Sequence, residues 1–178
     1  MAQDPGVELA SGIHIRAGRS EDGAQLASVF VSSWRHSYQG VVPEATLGDL
    51  DENEIASWLR TLVDSSDSSM TVAESNGELL GFCRYGADPD KPGRGHIFSL
   101  YVAPRASGRG LGRRLLSDAL DELANQGLDP VTLWVFEKNE RARQLYASYG
   151  FSPDGGRLVE AEYGAEEIRL CRVSASTE

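Results

Sequence analysis

The sequence predicts a single α/β domain, in which a mixed and mostly antiparallel sheet is flanked by helices. The strongest observation is a β-prone run at residues 97–102, followed by a glycine-rich loop and then by leucines at helical spacing. The second is Asn76-Gly77, a two-residue turn signal between two apolar runs, which predicts a β-hairpin. The third is the length of 178 residues, 40% of them hydrophobic, which suits one core and leaves little room for two.

The first half of the chain predicts a strand, three helices and the hairpin. Residues 1–12 are expected to form a disordered tail, so that the predicted domain covers residues 13–173. Ser20 can cap the first helix, whose apolar residues recur at helical spacing as far as Trp34. The predicted elements are a strand at 13–17, a helix from residue 20 that ends before Pro43, helices at 44–50 and 53–63, and hairpin strands at 70–74 and 78–85.

The second half predicts four strands and two helices. Pro104 ends the strand that precedes the glycine-rich loop, because proline cannot donate to a strand ladder. Gly127 is expected to stop the next helix, and Asn139 to cap the one after it. The predicted elements are a strand at 97–102, a helix from Leu111, a strand at 131–136, a helix from Asn139 to Gly150, and two antiparallel strands around 157–163 and 166–172.

Composition excludes several classes of protein. A net charge of −10 argues against a nucleic-acid partner. There is no run of 18 apolar residues, and the first ten residues lack the features of a signal peptide, so we expect a cytoplasmic protein that does not enter a membrane. The two cysteines, Cys83 and Cys171, indicate neither a disulfide framework nor a metal cluster.

The loop after the 97–102 strand is suited to bind a phosphate or pyrophosphate. Its glycines alternate at Gly108, Gly110 and Gly112, so the backbone can approach a ligand closely. Free N–H groups at the helix start, beside Arg109 and Arg113, would bind an anion. A Walker loop is excluded because Arg113-Arg114 replaces its Lys-Ser/Thr pair. A Rossmann fingerprint is excluded because Arg113 stands where its third glycine is required. The alternative is an ordinary glycine-rich turn.

Two motifs resemble those of the GNAT family of N-acetyltransferases. Residues 102–116 carry the pattern V-x-P-x-x-x-G-R-G-x-G-x-x-L-L, and residues 134–151 carry W-V-x-x-x-N-x-x-A-x-x-x-Y-x-x-x-G-F. The resemblance covers roughly residues 13–172. It implies a GNAT-like fold with splayed central strands, acetyl-CoA as co-substrate, transfer of acetyl to an amine by direct attack, and no metal.

The resemblance also implies the residues that bind acetyl-CoA. The amides of three strand residues would pair with the pantetheine arm, as in β-augmentation. One position departs from the family pattern Gln/Arg-x-x-Gly-x-Gly/Ala, because Ser107 stands where the family has Gln or Arg. An alignment that starts the pattern at Arg105 would avoid this departure, but it breaks the spacing to Leu115-Leu116. Ser107 still offers its amide. The implied cofactor-binding residues are Leu100, Tyr101, Val102, Gly108, Arg109, Gly110, Leu111, Gly112, Arg113 and Asn139.

Tyr146 matches the family's general acid, which protonates the departing thiolate. A phenol with a pKa near 10 is suited to that step; the alternative role is packing. In many members a glutamate is the base; one common position of that glutamate is His96 here and another is Trp134, and the His96 imidazole could serve as the base. A histidine that faces solvent is the alternative, as is a water relay to Glu74 or Glu137.

Acceptor specificity is expected in the first helices and beside the central strand. Trp34 and Tyr38 lie in a segment that resembles one shared by many of these enzymes, and Tyr85 with Phe82 could form another wall. The favoured acceptor is the amine of a small molecule. A protein N-terminus or lysine, a longer acyl donor, and a non-catalytic acyl-CoA sensor stay open. The family also suggests a homodimer.

Overall fold

The computed structural model describes residues 12–161 and 163–174. The predicted tail therefore lies outside the described residues except for Gly12, and the domain limits of 13–173 stay a prediction. No helix within the described ranges has the length and apolar character that crossing a bilayer requires.

The described residues form seven strands and five α-helices. The strands are β1 (Ile13–Ala17), β2 (Ser69–Ser75), β3 (Glu78–Ala87), β4 (Gly95–Val102), β5 (Val131–Phe136), β6 (Ser152–Val159) and β7 (Glu166–Arg172). The helices are α1 (Gly23–Ser37), α2 (Glu44–Gly48), α3 (Glu52–Val63), α4 (Leu111–Asn125) and α5 (Glu140–Ala147). Two short 3₁₀ turns, Ser20–Asp22 and Pro104–Ala106, precede α1 and α4.

All strands form one sheet in the order β1-β2-β3-β4-β5-β7-β6. Every neighbouring pair is antiparallel except β4 and β5, which are parallel. The apolar face of α4 packs in one hydrophobic cluster with Tyr146 and Phe151, and the apolar faces of α1 and α3 pack in a second one with Phe82. The predicted fold, a mixed and mostly antiparallel sheet between helices, is confirmed.

The hairpin forms where the turn signal predicts it. Asn76 and Gly77 have φ angles of 52° and 81°, the left-handed conformation that a tight two-residue turn requires. Strand β3 extends two residues further than expected, to Ala87.

The predicted cap at Ser20 is wrong. The Ser20 hydroxyl donates to Asp64 instead, and Asp22 accepts the backbone N–H of Arg19 at 2.8 Å. Asp22 is buried because both of its carboxylate oxygens also accept from Arg16, at 2.8 and 2.9 Å. This ion pair lowers the pKa of Asp22, with the hydrogen bond from Arg16 as the largest cause. It joins β1 to the start of α1.

Strand β6 begins five residues earlier than predicted, at Ser152 rather than Arg157. Pro153 and Gly155-Gly156 look like strand breakers in the sequence. β6 tolerates them because it is an edge strand and because its register against β7 shifts between Pro153 and Arg157. The predicted end at residue 163 is also late, since β6 ends at Val159.

Candidate active site

The site forms where the two central strands separate. β4 and β5 pair only at Gly95 with Val131, His96 with Thr132, and Ile97 with Leu133. β4 then continues to Val102 along β3, whereas β5 continues to Phe136 along β7. The predicted splay is confirmed, and it leaves one edge of β4 without a strand neighbour over residues 98–102.

The loop that follows β4 presents backbone amides toward solvent. Gly108 and Gly110 have φ angles of 80° and 76°, and an added Cβ would meet no atom within 4 Å at either glycine. The first helical bond of α4 runs from Arg114 N–H to the Gly110 carbonyl, 3.1 Å. The amides at residues 111–113 therefore precede the hydrogen-bond ladder of α4, as the anion site requires. Ser107 does not add to them, because its amide donates to the Pro104 carbonyl at 3.1 Å.

This loop borders a cavity of about 490 Å³, here called the loop cavity. All of the predicted cofactor residues except Arg109 line it: Leu100, Tyr101, Val102, Gly108, Gly110, Leu111, Gly112, Arg113 and Asn139. The backbone carbonyl of Val102 already accepts from the Ser33 hydroxyl at 2.8 Å.

Sequence reasoning missed Arg141 as a lining residue of the loop cavity. Its guanidinium donates to the Ser107 hydroxyl at 2.5 Å, across the loop from Arg113. Ser107, the one departure from the family pattern, thus holds an arginine of α5 beside the loop. The signal was available, because Arg141 follows the asparagine of the second motif by two residues.

A second cavity of about 360 Å³ opens on the other side of the splay and is here called the aromatic cavity. The predicted residues Trp34 and Tyr38 line it, and their rings meet at 4.9 Å in an edge-on contact. Six residues line both cavities and form the seam between them: Tyr38, Leu100, Tyr101, Asn139, Ala142 and Tyr146.

Tyr146 is held at the seam by α5. The Asn139 side chain caps this helix by accepting the Ala142 N–H at 3.2 Å, and the Tyr146 ring packs edge-on against Phe151, 5.9 Å away. Tyr146 is only 7% exposed, and this burial raises the pKa of its hydroxyl. The phenol is therefore fully protonated near neutral pH, as a general acid must be. Asn139 caps α5, one of its two predicted roles, and it lines both cavities; its contact with the coenzyme stays a prediction.

His96 lines the aromatic cavity and lies one residue before the last β4–β5 pair, Ile97 with Leu133. Its Nδ1 lies 2.9 Å from the Thr132 hydroxyl and 3.8 Å from Asp88, and its ring contacts Phe98. Burial lowers the pKa of His96, although Asp88 opposes that shift. The imidazole is therefore neutral near pH 7 and able to accept a proton.

Glu74 and Glu137 lie outside both cavities. Glu74 pairs with Arg16 at 2.5 Å on the β1–β2 side of the sheet, and Glu137 pairs with Arg157 at 3.2 Å. Two carboxylates that the sequence did not single out, Glu160 and Glu167, line the aromatic cavity instead. Glu167, on β7, lies opposite Phe136 of β5. Burial, together with the charge of Glu160, raises the pKa of the Glu167 carboxyl.

Tyr85 does not reach the acceptor side. It is 2% exposed and packs in the same hydrophobic cluster as the apolar face of α4, so neither of the two cavities includes it. A register shift between Arg84 and Tyr85 places Tyr85 opposite Ile97. Phe82 is fully buried as well. We therefore assign Tyr85 to packing. Arg109 is exposed on the loop and lines neither cavity.

No group of three or more His, Cys, Asp or Glu side chains within residues 12–161 and 163–174 is arranged to hold a metal ion. The described groups of the site are a buried phenol, an imidazole, two carboxylates and a loop of free amides.

Comparison with known proteins identifies the class. The family model for the acetyltransferase (GNAT) family matches residues 24–151. The chain therefore belongs to the GNAT family, and it is an acetyltransferase. A Mycobacterium tuberculosis protein named "Probable N-acetyltransferase" is 33% identical over 149 residues, which cover 82% of this chain and 83% of that protein.

Two further similarities bear on the site. A mycothiol acetyltransferase of Kocuria rhizophila is 36% identical over 152 residues, but the match covers 82% of this chain and only 48% of that longer protein. The PaiA N-acetyltransferase of Thermoplasma acidophilum, whose crystal structure contains coenzyme A, superposes with a TM-score of 0.78 at 20% identity and covers 91% of this chain and 99% of its own. At that identity the superposition shows a shared fold.

Proposed function

We propose that the protein moves an acetyl group from acetyl-CoA to the amine of a small molecule by direct attack. The observation that carries the proposal is the seam, where the loop cavity and the aromatic cavity meet beside the Tyr146 phenol. A thioester that reaches the seam from the loop side would face an acceptor that enters from the aromatic side. Neither substrate then has to leave its own cavity for the reaction.

Acetyl-CoA is assigned to the loop cavity because that cavity offers what a pyrophosphate requires. The free amides at residues 111–113 and the guanidinium groups of Arg113 and Arg141 are donors to phosphate oxygens. The unpaired edge of β4 over residues 98–102 can pair with the amides of a pantetheine arm. The coenzyme A complex of the structurally similar Thermoplasma protein supports this assignment.

The chemistry requires one base and one acid. A primary ammonium, with a pKa of about 10.4, first loses a proton to the His96 imidazole. The neutral nitrogen then bonds to the thioester carbon, and the carbon–sulfur bond breaks as the carbonyl re-forms. The sulfur takes the Tyr146 proton, and the second proton released by the nitrogen restores the phenol. The His96 proton passes to solvent, so that each turnover releases one proton.

The acceptor is assigned to the aromatic cavity, whose volume fits a small molecule. The described residues that line it include two carboxylates, Glu160 and Glu167, and no lysine or arginine. Glu167 lies close enough to Tyr38 and Tyr101 for its charge to raise the pKa of both hydroxyls. Aromatic rings and carboxylates together favour a cationic acceptor without an acidic group. The relatives named mycothiol acetyltransferase support a small-molecule acceptor.

A series of matched amines tests this proposal. Butylamine, 1,4-diaminobutane and 4-aminobutyrate have the same carbon chain but a neutral, a cationic and an anionic end. With acetyl-CoA as donor, we expect kcat/KM to be more than about tenfold higher for the diamine than for the amino acid, because about 1.4 kcal/mol of charge preference suffices. Glu167→Gln should remove most of that preference. Glu137→Gln, outside both cavities, is the matched control.

The same assay decides between the acceptor classes. Equal rates for all three amines, or a preference for the carboxylate, would contradict the cationic class of acceptor. Acetylation of short peptides at a lysine or N-terminus in preference to every small amine would favour the protein acceptor. Replacing acetyl-CoA with longer acyl-CoA donors in the assay establishes the donor.

A further inference from the structure

A buried hydroxyl lies behind the proposed base. Thr132 is fully buried on β5, and its Oγ1 lies 2.9 Å from His96 Nδ1. The same hydroxyl lies within donating distance of two oxygens, Asp88 Oδ2 at 3.3 Å and the Gly95 carbonyl at 3.4 Å. A hydroxyl has one proton, and Asp88 Oδ2 and the Gly95 carbonyl can only accept it, so donation to either of them leaves an oxygen lone pair of Thr132 to accept from His96 Nδ1.

We infer that Thr132, together with Asp88, is a positioning residue that holds the proton of neutral His96 on Nδ1 and leaves Nε2 as the basic atom. The inference rests on the proposed role of His96 as the base. Asp88 supports the assignment, since its carboxylate lies 3.8 Å from Nδ1 and favours a proton there. Among the described residues, none makes a hydrogen bond to Nε2.

Asp88 is itself fixed as a carboxylate. It is 8% exposed, it accepts from Arg94 Nε at 2.7 Å, and its other oxygen accepts the Asp90 amide at 2.9 Å. These contacts lower the pKa of Asp88 although its burial opposes them. The negative charge behind Thr132 is therefore present throughout the pH range in which a histidine titrates.

The network also has a function after the proton transfer. When Nε2 takes the proton of the acceptor's ammonium, His96 becomes an imidazolium that still donates from Nδ1 to Thr132. Thr132 in turn donates to Asp88, so the carboxylate stabilises the new positive charge through one hydroxyl. The other charged groups that influence His96 are Asp90, Arg94 and Arg169, which partly cancel one another.

Kinetics of three variants test this inference. Thr132→Val keeps the shape and removes the hydroxyl, and should lower kcat at least about tenfold, a part of the roughly 10²–10⁴-fold that a positioned base contributes. The acidic limb of its pH–rate profile should move to lower pH, because the imidazolium loses its support. Thr132→Ser should restore both. Thr71→Val is the control, since the buried Thr71 hydroxyl has no partner among the described residues.

A double variant separates positioning from simple stability. In His96→Ala there is no imidazole to position, so adding Thr132→Val should cause no further loss of rate. The inference would be overturned if the rate loss of the double variant equalled the product of the two single losses. A Thr132→Val pH–rate profile that overlays that of the parent protein would overturn it as well. Acetyl-CoA affinity and melting temperature, measured for every variant, show whether the fold is retained.

Nitrogen-15 NMR of the imidazoles gives a test that does not need turnover. The chain has three histidines, so the His96→Ala spectrum identifies the His96 signals. We expect neutral His96 to carry its proton on Nδ1, and to become a mixture of tautomers in Thr132→Val. A proton on Nε2 in the parent protein would overturn the inference. If no amine is acetylated, the proposed function fails, while the spectrum still decides the role of Thr132.

Discussion

At the scale of single residues, Tyr146 carries the clearest prediction. Tyr146→Phe keeps the ring packed against Phe151 and removes only the proton donor. The rate of amine acetylation should fall by roughly 10²–10⁴-fold, while acetyl-CoA affinity, measured by calorimetry, changes little. Burial raises the pKa of Tyr146, so the parent enzyme should show no loss of its acid as the pH rises to about 9.

Tyr85→Phe is the matched control for this prediction. Tyr85 loses the same hydroxyl but lies away from both cavities, so its variant should keep the parent rate. Equal activity of the Tyr146 and Tyr85 variants would reduce Tyr146 to a packing residue. A large loss in Tyr85→Phe alone would restore its predicted role at the acceptor.

The burial of Glu167 leads to a separate prediction about the pH dependence of stability. Its folded-state pKa is raised, so its protonated form is favoured by folding and the ionised carboxylate destabilises the fold. That destabilisation is absent below the ordinary carboxyl pKa of about 4.3 and grows as the pH rises through the raised value. Glu167→Gln should therefore raise the melting temperature at pH 8 and leave it unchanged near pH 4. A variant that is less stable than its parent at pH 8 would contradict the assigned burial of this carboxylate.

At the scale of elements, the loop before α4 can be tested with a substitution that the fold accepts. At Gly110 any side chain would be strained, because φ is 76°. Gly112 lies inside α4, and an added Cβ would only touch Leu145 at 3.5 Å and Val102 at 3.8 Å. Gly112→Ala should keep or improve stability, yet weaken acetyl-CoA binding by more than about tenfold, or 1.4 kcal/mol, if pyrophosphate lies against this backbone.

Gly48→Ala on α2 is the control for that loop prediction. An added Cβ at Gly48 would meet no atom within 4 Å, and the residue lies far along the chain from the loop. Unchanged affinity in a folded Gly112→Ala protein would remove the pyrophosphate from this loop.

The ion pair between Arg16 and Asp22, at the start of α1, should contribute to the free energy of unfolding. Asp22 is buried, and Asp22→Ala leaves the charged Arg16 guanidinium and the neutral backbone N–H of Arg19 without their acceptor. Breaking a buried pair of this kind costs about 3 kcal/mol. The pKa of Asp22 is lowered, so its contribution is present above the ordinary carboxyl pKa and lost as the pH falls through the folded value. Urea unfolding of the parent and of Asp22→Ala at neutral and acidic pH measures the loss of stability and its pH dependence. An equal loss of stability at the two pH values would contradict the role of the Asp22 carboxylate.

How far the sequence predicts these elements depends on the range of the interactions that form them. The loop, the end of β4 and α5 follow from local signals: alternating glycines, a proline after β4, and a capping asparagine, whereas the splay was expected from the family resemblance. β6 was misplaced because Pro153 and its two glycines break a central strand but not an edge strand, and edge position is a property of the whole sheet.

Glu167, which lines the aromatic cavity and which the sequence did not indicate, illustrates the same limit. Its alternation with Ile168 on β7 indicates that its side chain lies on the other face of the sheet, but not that this face borders a cavity. That depends on Phe136, the residue opposite it on β5, and on the separation of β4 from β5. The prediction for Tyr85 is wrong for a related reason. The register between β3 and β4 shifts after Arg84, and a shift of this kind changes the pairing of the residues that follow it.

At the scale of the whole molecule, the two cavities differ in charge although the chain carries −10 overall. Arg113 and Arg141 line the loop cavity, where an anionic coenzyme would bind, and Glu160 and Glu167 line the aromatic cavity. The fold thus separates a cationic site from an anionic one across the seam at Tyr146. The homodimer, the cytoplasmic location and the residue 1–12 tail stay predictions.

The central claim is that this seam joins acetyl-CoA to a small amine without a covalent enzyme intermediate. Its most direct measurement is release of free coenzyme A thiol from acetyl-CoA across a panel of amines, with mass spectrometry of the products. We predict thiol release that depends on the amine, an equal amount of N-acetylated amine, and no acetyl group on the protein in the absence of acceptor. Stoichiometric acetylation of the protein itself, or thiol release that is independent of every amine and peptide tested, would contradict the claim.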